Sequence, residues 1–524
     1  MAVRPMIVVA AAAIASGALV SLAFPSADLG ALAWVALVPL LLALRGRGVG
    51  QAWAAGQLFG IVAGFGIFGW LFALPHFGVL HFAALALYTS LYPACWCAGV
   101  ALLSSRRGTG PIVVTAPALW VALDLLRSHA GFLALPWATL GQSQHADLAV
   151  LQVAALGGEA AVTFLVVMAN VAVAQWLADR SAPGARAALA SVAIAHVGGA
   201  LVLASPANEP WLTVAAVQPG IGLAERDTAE GRAAIWQRLE SLTREASAAR
   251  PALVVWPETA VGDPRHDAAL AARLAALSTS LRVPIVVGAA ETEKFAATTG
   301  GGLSASERDA WNSAYLVADG AVVGEPYRKR VLMPFGEYLP LRGALPWPAV
   351  LVPDVVDVHA GDADAGFEIA ASPAPIRLGA TICWESEFAG LARVAVVGGA
   401  RLLVQLTNDA WFGDSRAAAQ HNLASVLRAV ENGVPVVLAS NTGPSQVIDA
   451  HGRVVSRVEG FARHGIAVAT VTIGSAGGTW YSHAGDVFSF ACIGFAGLGL
   501  GAASMRRRAP ERHLPSPTFA KEAI

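Results

Sequence analysis

Three side chains suited to covalent acyl chemistry stand at the ends of short apolar runs in this 524-residue chain. Cys383 closes the run Arg377-Leu378-Gly379-Ala380-Thr381-Ile382, and Trp384-Glu385-Ser386-Glu387 after it can open a helix. A residue at such an elbow is presented at the carboxyl edge of a sheet, where α/β folds build their sites, and a helix N-terminus favours the thiolate. Cys95, Cys97 and Cys492 lie in long apolar stretches, where a thiol is ordinarily a small filler. Cys383 therefore has no disulfide partner in the charged part of the chain, which leaves a buried inert thiol or a nucleophile.

A nucleophilic thiol needs a base. Glu258 follows Leu253-Val254-Val255-Trp256-Pro257, and partial desolvation at a strand end raises a carboxyl toward the pKa of a working base. The plain alternative is an ordinary strand-end glutamate. His266, His359, His421, His451 and His464 have no supporting motif and read as surface or structural residues. The chain has 32 Arg but only three Lys, at 294, 329 and 521. Lys329, flanked by Arg328 and Arg330, therefore points to a compact ammonium that steadies an oxyanion, with a basic loop face as the alternative.

The elements that must position these residues lie between Trp211 and about Ile473. Short β-branched runs predict strands at 212–217, 252–256, 284–288, 313–317, 376–382, 402–406, 434–440 and 466–471. Apolar residues at spacings of three and four predict helices over 229–249, 268–278, 387–397 and 417–432. Such alternation means an α/β domain of about 260 residues with its sheet covered by helices.

The rest of the chain is written for a different solvent. Residues are 56% hydrophobic and 14% charged, with a mean hydropathy of +0.57, which excludes both a disordered chain and an ordinary cytosolic one. The net charge of -1 provides no field for gathering nucleic acid. Of the charged residues, 14 fall in 1–210, 49 in 211–480 and 8 in 481–524. Seven apolar stretches precede the charged block, at about 7–23, 31–44, 54–74, 82–103, 111–126, 160–178 and 187–204, and an eighth follows at 487–505. Each is read as a membrane span, the second and fifth being short; a cleaved signal peptide is the alternative for the first. Arg4, Arg45 and Arg47, Arg106 and Arg107, Arg180 and Arg186, and Arg506 to Arg508 mark every second boundary. The positive-inside rule then places both termini in the cytoplasm and the charged block outside. One outer connection carries Leu135-Pro136-Trp137-Ala138-Thr139-Leu140-Gly141-Gln142-Ser143-Gln144, either an interfacial loop anchored by Trp or the lip of a lipid-facing cleft.

Taken together, "VVWPETA" around Glu258, "YRKRVLMPFGEYLP" around Lys329 and "LGATICWESEF" around Cys383 resemble the Glu-Lys-Cys triad of the nitrilase superfamily, in that chain order. With eight spans, and with "LPWATLGQSQ", "VQPGIG", "TNDAWFG", "QHNLASVLRAVENGVP" and "SNTG", the whole chain resembles the apolipoprotein N-acyltransferase family. That resemblance implies seven transmembrane helices over 1–210 and a periplasmic nitrilase-like αββα sandwich over 211–480. An eighth transmembrane helix and a cytoplasmic tail then fill 481–524, in a bacterial inner membrane. It implies Glu258 as general base, Lys329 as oxyanion stabiliser and Cys383 as nucleophile, with Glu337, Trp384 and Glu385 accessory or substrate-binding. The implied donor is a phospholipid, typically phosphatidylethanolamine, the acceptor a diacylglyceryl apolipoprotein, and no metal, nucleotide or other cofactor is needed. Trp384 stands where the family commonly has Tyr. No aromatic lid residue lies between Gly220 and Asp227, so Trp236 or another loop is expected to close the site, or lid behaviour differs. A membrane-tethered amidase using the same triad is the main rival. A transporter or scaffold is disfavoured, because the spans hold little ionisable beyond Asp124.

Overall fold

The computed structural model describes residues 3–508, apart from 75–76, 105–111, 181, 206–209, 223–224, 226–227, 293–309, 349–351, 353–356, 372–373 and 476. Arg106, Arg107, Lys294 and Lys521 lie outside the described residues.

The apolar stretches form helices that pack on one another. In chain order they are α1 (Val3–Leu22), α2 (Val38–Ala43), α3 (Val49–Phe68), α4 (Val79–Leu103), α5 (Ile112–Ser128), the single turn α6 (Leu148–Leu151), α7 (Ala154–Ala178) and α8 (Pro183–Ala204). Counting the last helix near the C-terminal end, five described helices are long and apolar enough to cross a membrane: 49–73, 79–103, 154–178, 184–204 and 487–505. The first, second and fifth stretches make shorter apolar segments. Within α7 the helix breaks at Gly157 and Gly158. Gly158 has φ +69, and a Cβ there would meet the Tyr481 ring at 2.6 Å, so only glycine serves both the turn and the close packing.

Among the described residues of the charged block there are twelve strands: β1 (Trp211–Gln218), β2 (Leu253–Val255), β3 (Ile285–Thr292), β4 (Ala310–Ala318), β5 (Ala321–Arg328), β6 (Phe367–Ile369), β7 (Ile376–Ile382), β8 (Leu402–Thr407), β9 (Val436–Ser440), β10 (Gln446–Ile448), β11 (Val454–Arg457) and β12 (Gly465–Thr472). They build two six-stranded sheets, ordered β12-β1-β2-β3-β4-β5 and β11-β10-β9-β8-β7-β6. Each has a parallel centre, β1-β2-β3 or β7-β8-β9, flanked by antiparallel strands. The sheets bury Val214, Val255 and Val286 against Leu378, Ile382 and Val404. Helices α9 (Ala229–Ser247) and α10 (Ala268–Leu281) cover the outside of the first sheet. Helices α11 (Ala389–Val397) and α12 (Ala417–Asn432) cover the second. This is an αββα sandwich; α13 (Trp480–Ala484) and α14 (Val487–Arg508) then return the chain to the apolar helices.

The second helix layer has no free outer face. Val150, Leu151, Ala154 and Val162 of the apolar part share one core with Ala395, Val426, Val430 and Val436 of the sandwich. Every residue of α12 except Ala419 is buried. Its polar side chains bond across the seam: Arg428 donates to Glu159 at 2.9 Å, and Glu431 accepts the Glu159 main-chain N–H at 2.8 Å. The break in α7 leaves that N–H without its helical partner.

Candidate active site

The parallel centre of each sheet delivers one end of the site. Glu258 lies three residues beyond β2, in a segment pressed so close to β3 that a Cβ at Gly288 would meet the Pro257 carbonyl at 2.2 Å. Lys329 follows β5, its N–H donating to the Asn312 carbonyl of β4 at 2.8 Å. Cys383 follows β7 at φ +54, in the left-handed region that a non-glycine side chain occupies only under constraint. A 3₁₀ turn over Cys383–Glu387 follows, and α11 begins only at Ala389, so the expected helix does not start at the thiol.

Lys329 is 1% exposed, which obliges its ammonium to find counter-charges. Its Nζ donates to Glu337 Oε1 at 2.9 Å and stands 3.9 Å from Glu258 Oε1. Asn312 Nδ2 donates to Glu258 at 2.5 Å and to Glu337 at 3.2 Å, and Glu337 also accepts the Met333 N–H at 2.7 Å. The other Glu258 oxygen is buried with no hydrogen-bond partner among the described residues, as a carboxylate able to take up a proton would be.

Cys383 is partly exposed and shares the field of these groups. Burial pushes its thiol well above the ordinary range, Glu258 adds to the rise and Lys329 opposes it. Burial at the elbow thus works against the thiolate that a helix N-terminus would favour. Burial also raises Glu258 against the pull of Lys329. Burial lowers Lys329, but Cys383, Glu337 and Glu258 outweigh it, and the amine stays charged. A thiol, a carboxylate whose affinity for protons is raised and a fixed cation are groups that acyl transfer can use.

The accessory residues divide. Glu337 belongs to the lysine's carboxylate cage. Glu385, fully buried, accepts from Tyr327 Oη at 2.7 Å and from the main-chain N–H of Arg330, Val331 and Ile382 at 2.6, 3.0 and 2.8 Å. It ties the lysine loop to the cysteine turn. Trp384 is 4% exposed, packs on Phe388 and joins the core of the apolar helices. Trp236 instead packs on Trp256 under α9, so it does not close the site.

Sequence reasoning passed over Asn312, Asp409 and His421. Of the surface and structural readings for His421, the structural one applies: it is 1% exposed, and its Nδ1 lies 2.9 Å from Asp409 Oδ1. In the 135–144 connection Trp137, Thr139, Leu140, Gln142, Ser143 and Gln144 are buried. Gln142 donates at 2.9 Å to Glu387, the last residue of the cysteine turn.

A Glu-Lys-Cys cluster between two such sheets defines a nitrilase-superfamily domain, here built onto apolar helices. Residues 213–481 match the family described as Carbon-nitrogen hydrolase, and residues 16–172 match the Apolipoprotein N-acyltransferase N-terminal domain. The chain belongs to the apolipoprotein N-acyltransferase family. It is 34% identical to the Apolipoprotein N-acyltransferase of Geobacter metallireducens, over 96% of each chain, and 35% identical to that of Gloeobacter violaceus, over 93% of each. An amidase structure from Nesterenkonia sp. is 17% identical with a TM-score of 0.35, covering 50% of this chain and 90% of that one.

Proposed function

We propose that this protein moves an acyl chain from a phospholipid, through a thioester on Cys383, to the α-amine of an N-terminal diacylglyceryl cysteine on an apolipoprotein. Glu258 takes the thiol proton as Sγ attacks the ester carbonyl, and Lys329 steadies the oxyanion. The C–O bond then breaks, and the proton passes to the departing lysophospholipid. In the second half the acceptor amine attacks the thioester, the C–S bond breaks, and Glu258 relays the amine's proton to the sulfur. Phosphatidylethanolamine is the proposed donor.

The observation that carries this reading is the convergence of Glu258, Lys329 and Cys383 in one buried cluster on a member of this family. The apolar part supports a lipid substrate. A cavity lined by Phe59, Ile67, Trp96 and Trp120 reaches Thr139 and Leu140, in the loop beneath the site. Ile194, Leu201, Phe490 and Leu498 turn outward with more than half of their surface exposed, as a hydrocarbon solvent requires. We place all eight apolar segments in a bacterial inner membrane, with residues 211–480 periplasmic and both termini cytoplasmic.

Incubating the purified protein with phosphatidylethanolamine vesicles should give an acyl adduct on Cys383 by intact mass, with equimolar lysophospholipid. Cys383→Ala should give neither, while replacing the other three cysteines leaves both. Transfer retained by Cys383→Ala would overturn the mechanism.

A further inference from the structure

The turn that carries the nucleophile is held at both ends. At its start Glu385 gathers the main-chain N–H groups of Ile382, Arg330 and Val331. At its far end the carbonyls of Ser386 and Glu387 accept from Arg428 Nη1 at 3.3 and 3.2 Å. Carbonyls that close a helical turn find no partner within it, so a donor from outside settles where the turn ends. Arg428, on α12, is 3% exposed, and a charge so deeply buried must itself be paired. Its Nη2 donates to Glu159 Oε2 at 2.9 Å and to Glu431 Oε1 at 3.1 Å, and its Nε lies 2.8 Å from Glu431 Oε2. Glu159 comes from the apolar part, directly after the break in α7 at Gly157 and Gly158. Its other carboxylate oxygen accepts the hydroxyl of Thr139, a residue that lines the apolar cavity. One guanidinium thus joins α7 to the main chain of the cysteine turn. Neither Arg428, Glu159 nor Thr139 has a part in the steps written above.

We propose that Arg428, aimed by Glu159, is a positioning residue for the nucleophile. Its fork fixes the far end of the Cys383 turn while Glu385 fixes the near end, and the φ of +54 at Cys383 is kept between them. A strained φ persists only where the surroundings over-determine it. Arginine suits the place because its planar guanidinium offers five N–H donors in a rigid fork, enough to serve two carbonyls and two carboxylates at once. A lysine at the same position keeps the charge and loses the fork. The apolar part thereby has a say in catalysis: Thr139 bonds Glu159, Glu159 bonds Arg428, and Arg428 bonds the turn. The wall of the lipid cavity and the attitude of the thiol are tied by those hydrogen bonds, and misplacing a reacting group by about 1 Å can cost about 10²-fold in rate.

This rests on Cys383 being the nucleophile, and the test separates the two ideas. Full-length protein is assayed with phosphatidylethanolamine vesicles for lysophospholipid release, and the acyl adduct on Cys383 is followed by intact mass. Arg428→Lys should lower kcat about tenfold or more while the apparent KM for lipid stays within about twofold, because orientation rather than lipid binding is lost. Glu159→Ala should also lower kcat, and Glu159→Gln, whose amide oxygen still accepts from Arg428, should recover most of that loss. The Arg428→Lys/Glu159→Ala double variant should be no more than about twofold worse than Arg428→Lys, as for one unit. If Arg428→Lys does not fold, as judged by Tm, the two Glu159 variants carry the comparison against wild type, since Arg428 keeps Glu431 in both. A wild-type kcat in Arg428→Lys, no rescue by Gln at 159, or losses that multiply would mean that the arginine only cements the two layers, and would overturn the positioning role while the Cys383 adduct still forms. Absence of any Cys383 adduct in the wild-type protein would overturn the nucleophile reading and this one with it.

Discussion

Holding a thiol neutral next to its base makes Cys383 safe between turnovers and makes Glu258 indispensable when the ester arrives. Glu258→Gln keeps the size and loses the proton acceptor, so thioester formation should slow by about 10²- to 10⁴-fold, measured as the rate of adduct growth by mass. Lys329→Arg keeps the charge, but a planar guanidinium does not fit a fully buried cage shaped by Glu258, Glu337 and Asn312. It should cost about 10²-fold or more in kcat, and near-normal turnover would assign the lysine to the fold alone. These three residues were legible in the sequence because each has an unusual type for its place: the lone thiol of the charged block, a Lys among Arg, a Glu after an apolar strand. Asn312 and His421 were not, because a polar residue on a predicted strand or helix face is assigned to solvent until the neighbouring layer is known.

Among the elements, the long helices and the strands with dense β-branched runs stood out, the edge strand β12 among them, and the short or interrupted strands did not. The run 376–382 and the helix 417–432 were found to the residue, since both are dense in the periodic pattern. Strand β5 was missed because Gly324 and Pro326 read as breakers, yet it is the edge of its sheet, where a missing N–H is tolerated. The three-residue strands β6 and β10 are too short to carry any alternation, and β11 is an exposed edge. The seam on α12 also has a measurable signature. Burial pushes the Glu387 carboxyl up to about 8, and the buried carboxyl of Glu431 on α12 to about 7. A carboxyl whose folded pKa is raised binds more protons folded than unfolded, so stability is greatest near the unfolded pKa, about 4.5, and falls as pH rises toward 8. Glu387→Gln should therefore lose less Tm than wild type between pH 5 and 8, with the remaining slope left to Glu431. Equal slopes in the two proteins would mean that Glu387 is already ionised in the fold.

At the scale of the whole molecule, one cysteine serving two substrates fixes the order of events. Initial-rate plots at several fixed phospholipid concentrations should be parallel, and lysophospholipid should appear before any acceptor is added. Intersecting plots with no lysophospholipid released would mean direct transfer in a ternary complex. The arginine pattern adds that a membrane-impermeant thiol reagent should label Cys383 once the outer barrier is opened, and labelling only after inner-membrane lysis would reverse the topology. The burial of α12 bears on ancestry and engineering alike. One wall of the catalytic layer is supplied by α6, α7 and the 135–144 loop. Cutting near residue 210 would strip Gln420 of its partners and take Glu159 away from Arg428 and Glu431. The apolar helices are thus a lining and not a leash, and a chimera carrying this sandwich on a foreign anchor would need to inherit the loop and both helices to remain whole.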